Sequence, residues 1–211
     1  EGPVSFAKLD EERQLIAFFE EHFADALDLM PGLAEEFAAH PTGRMGTVYC
    51  NQWSADGRLV LLGDAAHAIV PFHGQGMNCA FEDCAILDGL LAALSWPEAC
   101  DAYASRRKPD TDAIAKMALE NYREMRDTVR EPKFQLQKAL SLELERRFPG
   151  RFIPRYSMVM FHHEIPYSVA LERGRTQGEI LDELTQAAMD MSAVDYTLAR
   201  ALIESRLPLL A

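Results

Sequence analysis

Leu59-Val60-Leu61-Leu62-Gly63-Asp64-Ala65-Ala66-His67, then Pro71-Phe72-His73-Gly74-Gln75-Gly76-Met77-Asn78 and Phe81-Glu82-Asp83-Cys84, is the stretch that decides the fold. The apolar run Leu59–Leu62 reads as a buried strand that stops at Gly63-Asp64. A loop holding Pro71, Gly74 and Gly76 follows, and a helix opens near Met77. Met77, Ala80, Phe81, Cys84, Leu87, Leu91 and Leu94 recur at spacings of three and four, the period of one helix face. Strand, acidic turn, glycine-flanked loop and helix N-terminus together make a place for an anionic or electron-rich ligand.

Each part has its own chemistry. Asp64, at the C-terminal end of a strand, can accept hydrogen bonds from sugar-like hydroxyls. Gly74 and Gly76 lack Cβ, so the backbone can adopt φ > 0 and approach a flat ligand closely. The first amides of the helix, around Gly76, Met77 and Asn78, have no intrahelical acceptor and sit at the positive end of the helix dipole. A tight strand-to-helix turn with a capping Asp is the plain alternative for any one of these features. The ordered string is far more specific.

That string, GDAAH then PFHGQGMN then FEDC, resembles the second flavin-binding motif of the aromatic hydroxylases that use FAD and NAD(P)H. Within that family it most resembles the kynurenine-hydroxylating branch. The likeness extends to AFFEEHFADALDL upstream, to NYREMR at Asn121 and to RFIPRYSMVMF at Tyr156. It runs to about Tyr167 and fades beyond. The resemblance implies a bound FAD and NADPH as co-substrate. Through a flavin C4a-hydroperoxide, oxygen would pass to C3 of an aromatic amino acid, L-kynurenine. Asp64 would hold ribityl or ribose hydroxyls. Gly76, Met77 and Asn78 would meet the pyrimidine edge of the isoalloxazine, Gly74 and Gln75 would also bind the cofactor, and Pro71 and Phe72 would shape its oxygen-reacting face. Asn121 and Tyr156 would touch the amino-acid end of the substrate, and His73 would stand near flavin and substrate as a polarising or proton-relaying group. A structural histidine is an equal reading of His73. The Arg expected to neutralise the substrate carboxylate has no match here.

Composition sets bounds. The 211 residues hold 33 acidic and 21 basic side chains, a net charge of −12, which disfavours nucleic acid and anionic membrane surfaces as partners. Cys50, Cys79, Cys84 and Cys100 show no C-x-x-C spacing, so reduced thiols and a cytoplasmic setting are expected. No apolar run reaches eighteen residues. No G-x-G-x-x-G occurs and the chain begins at Glu1, so the βαβ unit that seats a dinucleotide is expected in an N-terminal half lying outside this sequence or on another chain.

The expected fold is α+β and mostly α-helical: the C-terminal part of an FAD/NAD(P)-binding aromatic-hydroxylase fold lacking its N-terminal Rossmann-type unit. Three regions are expected: 1–58 with helices and a hairpin strand, 59–95 with the flavin motif, and 96–211 as a helical region over the substrate pocket. Residues 8–40 read as helices with Asp10 as N-cap, Phe18, Phe19 and Phe23 as core, and a break at Pro31-Gly32. Thr47–Trp53 alternates like a strand, and Asp56-Gly57 marks a hairpin. Pro97 suits a helix start, Lys108-Pro109-Asp110 reads as an interruption before Thr111–Arg130, and Pro132 opens a helix to about Phe148. Arg106, Arg107 and Lys108 read as a solvated helix end, with NADPH phosphate docking as an alternative. Met125 and Met158–Met160 suit adaptable apolar walls.

No metal site is expected at His67, His73 or His162-His163. The partners foreseen are O2 and a small aromatic amino acid, with a homodimer left open. Two rival readings stand beside this one: a flavin hydroxylase for a different aromatic, and a non-catalytic helical binding fragment.

Overall fold

The computed structural model describes residues 5–210 and is mostly helical. It divides into two compact units, Glu1–Met45 and Gly46–Ala211.

The first unit contains α1 (Glu12–His22), a 3-10 turn (Ala24–Leu29) and α2 (Leu33–Ala39). Leu15 and Leu33 are its buried side chains. Phe18, Phe19 and Phe23 were expected in a core, yet they pack on one another at centroid distances of 5.4–6.0 Å, with Phe23 about half exposed. Glu11, not Asp10, occupies the N-cap of α1.

The second unit begins with a hairpin of β1 (Ser54–Ala55) and β2 (Leu59–Val60), paired antiparallel with Ser54 opposite Val60. Asp56 and Gly57 both take φ near +55°, and the Arg58 amide closes the turn on the Ala55 carbonyl at 2.9 Å, as expected for an Asp-Gly hairpin. The strands are shorter than their pattern suggested. Thr47–Trp53 forms no strand, and Leu61 adds a single further bond, its amide to the Trp53 carbonyl. Apolar β-branched alternation makes a strand only where a neighbour offers backbone partners, and among the described residues this sheet has two strands.

Beyond the hairpin come α3 (Asp64–His67), a 3-10 turn (Pro71–His73) and α4 (Gly76–Leu91). Next are α5 (Trp96–Arg123), which runs into a π turn at Glu124–Thr128, and α6 (Pro132–Arg147). The chain ends in α7 (Arg155–Phe161), α8 (Tyr167–Leu184) and α9 (Tyr196–Arg206). α5 is 28 residues long, about 42 Å, and is the spine of the unit. Ser95 caps its start in a reciprocal capping box with Glu98. The expected break at Pro109 is absent. Proline removes one backbone donor and crowds the previous turn, but α5 is packed against both α4 and α8. Thr111 Oγ1 donates to the Lys108 carbonyl and Asp110 accepts from Ser168 of α8, bridging the weakened turn.

Three apolar clusters form the core of this unit. Trp53, Ala66, Leu87, Ala99 and Tyr103 join the hairpin to α4 and α5. Cys79, Ile114, Met117, Met158 and Ala170 join α4, α5, α7 and α8. Leu140, Leu144, Ile180, Leu202 and Ile203 join α6, α8 and α9. The last cluster shows the C-terminal helices as part of the core, with α8 rather than α9 reaching a cavity wall.

On α4 the buried residues are Cys79, Asp83 and Leu87; of the apolar face read from the periodicity only Leu87 is buried, while Met77 is 68% and Phe81 65% exposed. Periodicity finds an apolar stripe but cannot say what it packs against. No helix among the described residues is long and apolar enough to cross a membrane.

Candidate functional site

Gly63 opens the site. It takes φ +54°, and a Cβ there would stand 3.2 Å from Ala80 Cβ on α4, so both backbone and space require glycine. The next residue, Asp64, is exposed at the start of α3. Beneath it lies a buried ionic hub. The Gly63 amide donates to Asp83 Oδ2 at 3.0 Å, His67 Nε2 lies 2.5 Å from the same oxygen, and Arg107 Nε donates to Oδ1 at 2.8 Å. Burial alone would raise the Asp83 carboxyl, but the hydrogen bonds from His67, Arg107 and Gly63 outweigh it and hold the group below the usual carboxylate range. His67 Nε2 must carry hydrogen, because an ionised carboxylate only accepts. Its ring stacks on Trp53 at 5.2 Å.

The hub changes the reading of the basic cluster. Arg107 is 3% exposed and also pairs with Glu82 at 2.9 Å, while Lys108 pairs with Asp112 at 2.8 Å. These residues lie inside α5 and not at a helix end; Arg107 and Lys108 are already paired, while Arg106 is exposed.

The loop behaves partly as expected. Gly74 is left-handed (φ +66°, ψ +18°) with nothing within 4 Å of where a Cβ would stand, whereas Gly76 needs no positive φ. Gln75 is the N-cap of α4 and is buried; its Oε1 accepts from Asn78 Nδ2 at 2.9 Å, and its Nε2 donates to Met160 Sδ at 3.2 Å. Met77 and Asn78 are exposed beside it, and Pro71 is exposed before it. Gln75 and Asn78 line a cavity of about 750 Å³ together with Glu82, Arg107 and Tyr167; Asp64 lies outside it.

His73, Asn121 and Tyr156 come together on a second cavity, of about 270 Å³, walled also by Glu124, Lys138, Arg155 and Gln177. They are far apart in sequence and meet because the 3-10 turn packs on α5 while α7 packs on α8. Asn121 Nδ2 donates to the Phe72 carbonyl at 2.5 Å, pinning the loop to α5. The Phe72 ring lies against Tyr122 at 4.6 Å. His73 is buried and stacks on Tyr156 at 5.6 Å. Burial, reinforced by the charge of Arg155, lowers its pKa to about 4, so the imidazole is neutral at pH 7. A neutral ring can donate or accept a hydrogen bond, but it is a poor store of a proton for acid catalysis.

Arg155 and Lys138 are cations on this wall that motif reading passed over. Arg155 already bonds Glu120 and, at 2.9 Å, Glu124; Lys138 sits 5.9 Å over the Tyr156 ring. Arg155 precedes Tyr156 within the RFIPRY string, so adjacency to a motif residue was the available signal. Met158 is wholly buried in the core, Met125 is exposed, and Met160 lines the larger cavity, so the methionines do not wall the smaller one. Asp83, inside FEDC, and Tyr167 were also missed, since nothing in their local sequence marks them as network residues. Among the described residues no group of three or more His, Cys, Asp or Glu could hold a metal ion. All four cysteines are free.

Residues 8–118 match a family described as an FAD binding domain. Among curated proteins the chain is similar to kynurenine 3-monooxygenase of Myxococcus xanthus, 48% identical over 208 residues, covering 98% of this chain and 45% of that protein. It is 46% identical over 211 residues to kynurenine 3-monooxygenase of Stenotrophomonas maltophilia, and 48% identical over 208 residues to that of Xanthomonas campestris pv. campestris. These matches cover 100% and 98% of the chain and 46% and 45% of the relatives. The chain thus spans a little under half the length of the curated relatives it matches.

Proposed function

We infer the function of this chain from its family: it belongs to the FAD binding domain family. Its part is that of the C-terminal portion of an FAD-dependent, NADPH-using monooxygenase of the aromatic-hydroxylase fold, converting L-kynurenine to 3-hydroxykynurenine. The observation that carries this reading is the meeting of His73, Asn121 and Tyr156 on one cavity of about 270 Å³, His73 lying in the turn that leads into α4. Support comes also from relatives named kynurenine 3-monooxygenase that match along nearly the whole chain.

The residues fit a flavin. Asp64 is exposed and able to accept from hydroxyls, and Gly74 leaves open space where a side chain would block close approach. No side chain caps α4, so the Gly76, Met77 and Asn78 amides remain able to meet electron density on the ring. FAD, once bound, would supply the redox and oxygen chemistry, with NADPH as reductant. Pro71 and Phe72 would border the ring. Asn121, its Nδ2 engaged by Phe72, has Oδ1 left to accept from an ammonium group. Tyr156 can donate to a carboxylate. His73, neutral and buried, would hold or accept a hydrogen bond rather than carry charge. Oxygen and a small aromatic amino acid are the partners this arrangement serves.

Asp64→Ala in the full protein should weaken FAD binding by about ten- to a hundredfold, the loss of a charge-assisted hydrogen bond. FAD content after gel filtration and a flavin titration read this directly. Unchanged retention with unchanged kynurenine-stimulated NADPH oxidation would refute the assignment. A panel of other aromatics in the same oxidation assay tests the substrate.

A further inference from the structure

We propose that Tyr167 is a positioning residue of the flavin site, acting through Glu82 and Gln75 to hold the Asp64 turn and the start of α4 at a set separation. The proposal rests on the flavin reading above. Its basis is a continuous polar chain, buried except at Glu82, whose side chain is 39% exposed. The Gly63 amide, next to Asp64, is bound to Asp83, and Asp83 is bound to Arg107 Nε. Arg107 Nη1 pairs with Glu82 Oε2 at 2.9 Å, and the Tyr167 hydroxyl donates to Glu82 Oε1 at 2.9 Å. The same hydroxyl lies 3.4 Å from Gln75 Oε1, which accepts from Asn78 Nδ2. One end of the chain is therefore the backbone beside Asp64, and the other is the first turn of α4.

Asp83, Arg107, Gln75 and Tyr167 are each less than 9% exposed. In such surroundings hydrogen bonds strengthen one another, and a broken link leaves its neighbours unpaired. Tyr167 is the informative link because its ring is fixed independently, packed in the apolar cluster with Cys79, Met117 and Met158. Removing the hydroxyl therefore alters the network and not the packing. Gln75 would then keep Asn78 and a thioether as partners, and thioether sulfur is a weak acceptor. The amide would lose its orientation, and the helix start would lose its tie to α8.

The test uses the full protein carrying Tyr167→Phe and, separately, Glu82→Gln. Flavin titration, the visible spectrum of the bound flavin and its midpoint potential are measured beside thermal melting. We expect FAD affinity to fall about five- to tenfold in Tyr167→Phe, with a shifted flavin spectrum and potential, while the melting temperature without flavin falls by only a few degrees. Glu82→Gln should move the same readouts in the same direction. If the parent binds FAD while both variants keep its affinity, spectrum and potential, this proposal fails and the flavin reading stands. If the parent binds no FAD, the flavin reading falls and takes the proposal with it.

Discussion

His73 shows how burial decides what a residue can do. Its side chain faces Tyr156, Arg155, Glu124 and Lys138 on the small cavity, and its pKa is lowered from 6.5 to about 4. Between those values the unfolded chain binds a proton that the folded chain refuses, so stability falls as pH falls from about 6.5 to about 4. The gap is worth up to about 3 kcal/mol. Replacing His73 by Asn removes the titration, and urea denaturation across that pH range should show a flatter profile than the parent. An identical slope in both would contradict the buried, neutral imidazole. The motif marked His73, Asn121 and Tyr156 one by one, since a string of residue types can be matched without knowing a fold. Asp83 and Tyr167 stayed hidden because their importance lies in partners 16 to 92 residues away.

At the level of elements, α5 is the instructive case. Proline reads as a break in any window of sequence, yet Pro109 sits inside a 28-residue helix. Packing against α4 and α8 outweighs the roughly 3 kcal/mol that an interior proline costs a helix. Pro109→Ala should therefore stabilise the protein by about 1–2 kcal/mol, part of the relief being offset by a freer unfolded chain. Chemical denaturation measures this, and a destabilised variant would mean that the proline is shaping the helix rather than being tolerated by it. The hairpin was legible at Asp56-Gly57 because two residues with positive φ are a local property. Strand length was not, because it depends on which backbone lies alongside.

Across the whole chain, the outward stripe of α4 has a consequence. Met77, Phe81 and Leu91 are exposed on α4 and Leu94 just beyond its end, a larger apolar surface than scattered single residues make. The 211-residue chain in isolation should bind an apolar dye such as ANS, and Met77→Ser with Phe81→Ser should cut the fluorescence at least twofold. A weak signal unaffected by the double substitution would show the stripe to be covered.

Read alone, the residues determine that this chain is mostly helical, that an Asp-Gly hairpin leads into an acidic turn, and that a glycine-flanked loop opens a helix. Each of these follows from backbone preference within a few positions. Only the tertiary structure decided which face of α4 is buried, that Arg107 serves Asp83 rather than solvent, and that His73, Asn121 and Tyr156 share a cavity. Those outcomes depend on which distant helices supply neighbours, and burial and pairing energies arise only once the neighbours are in place.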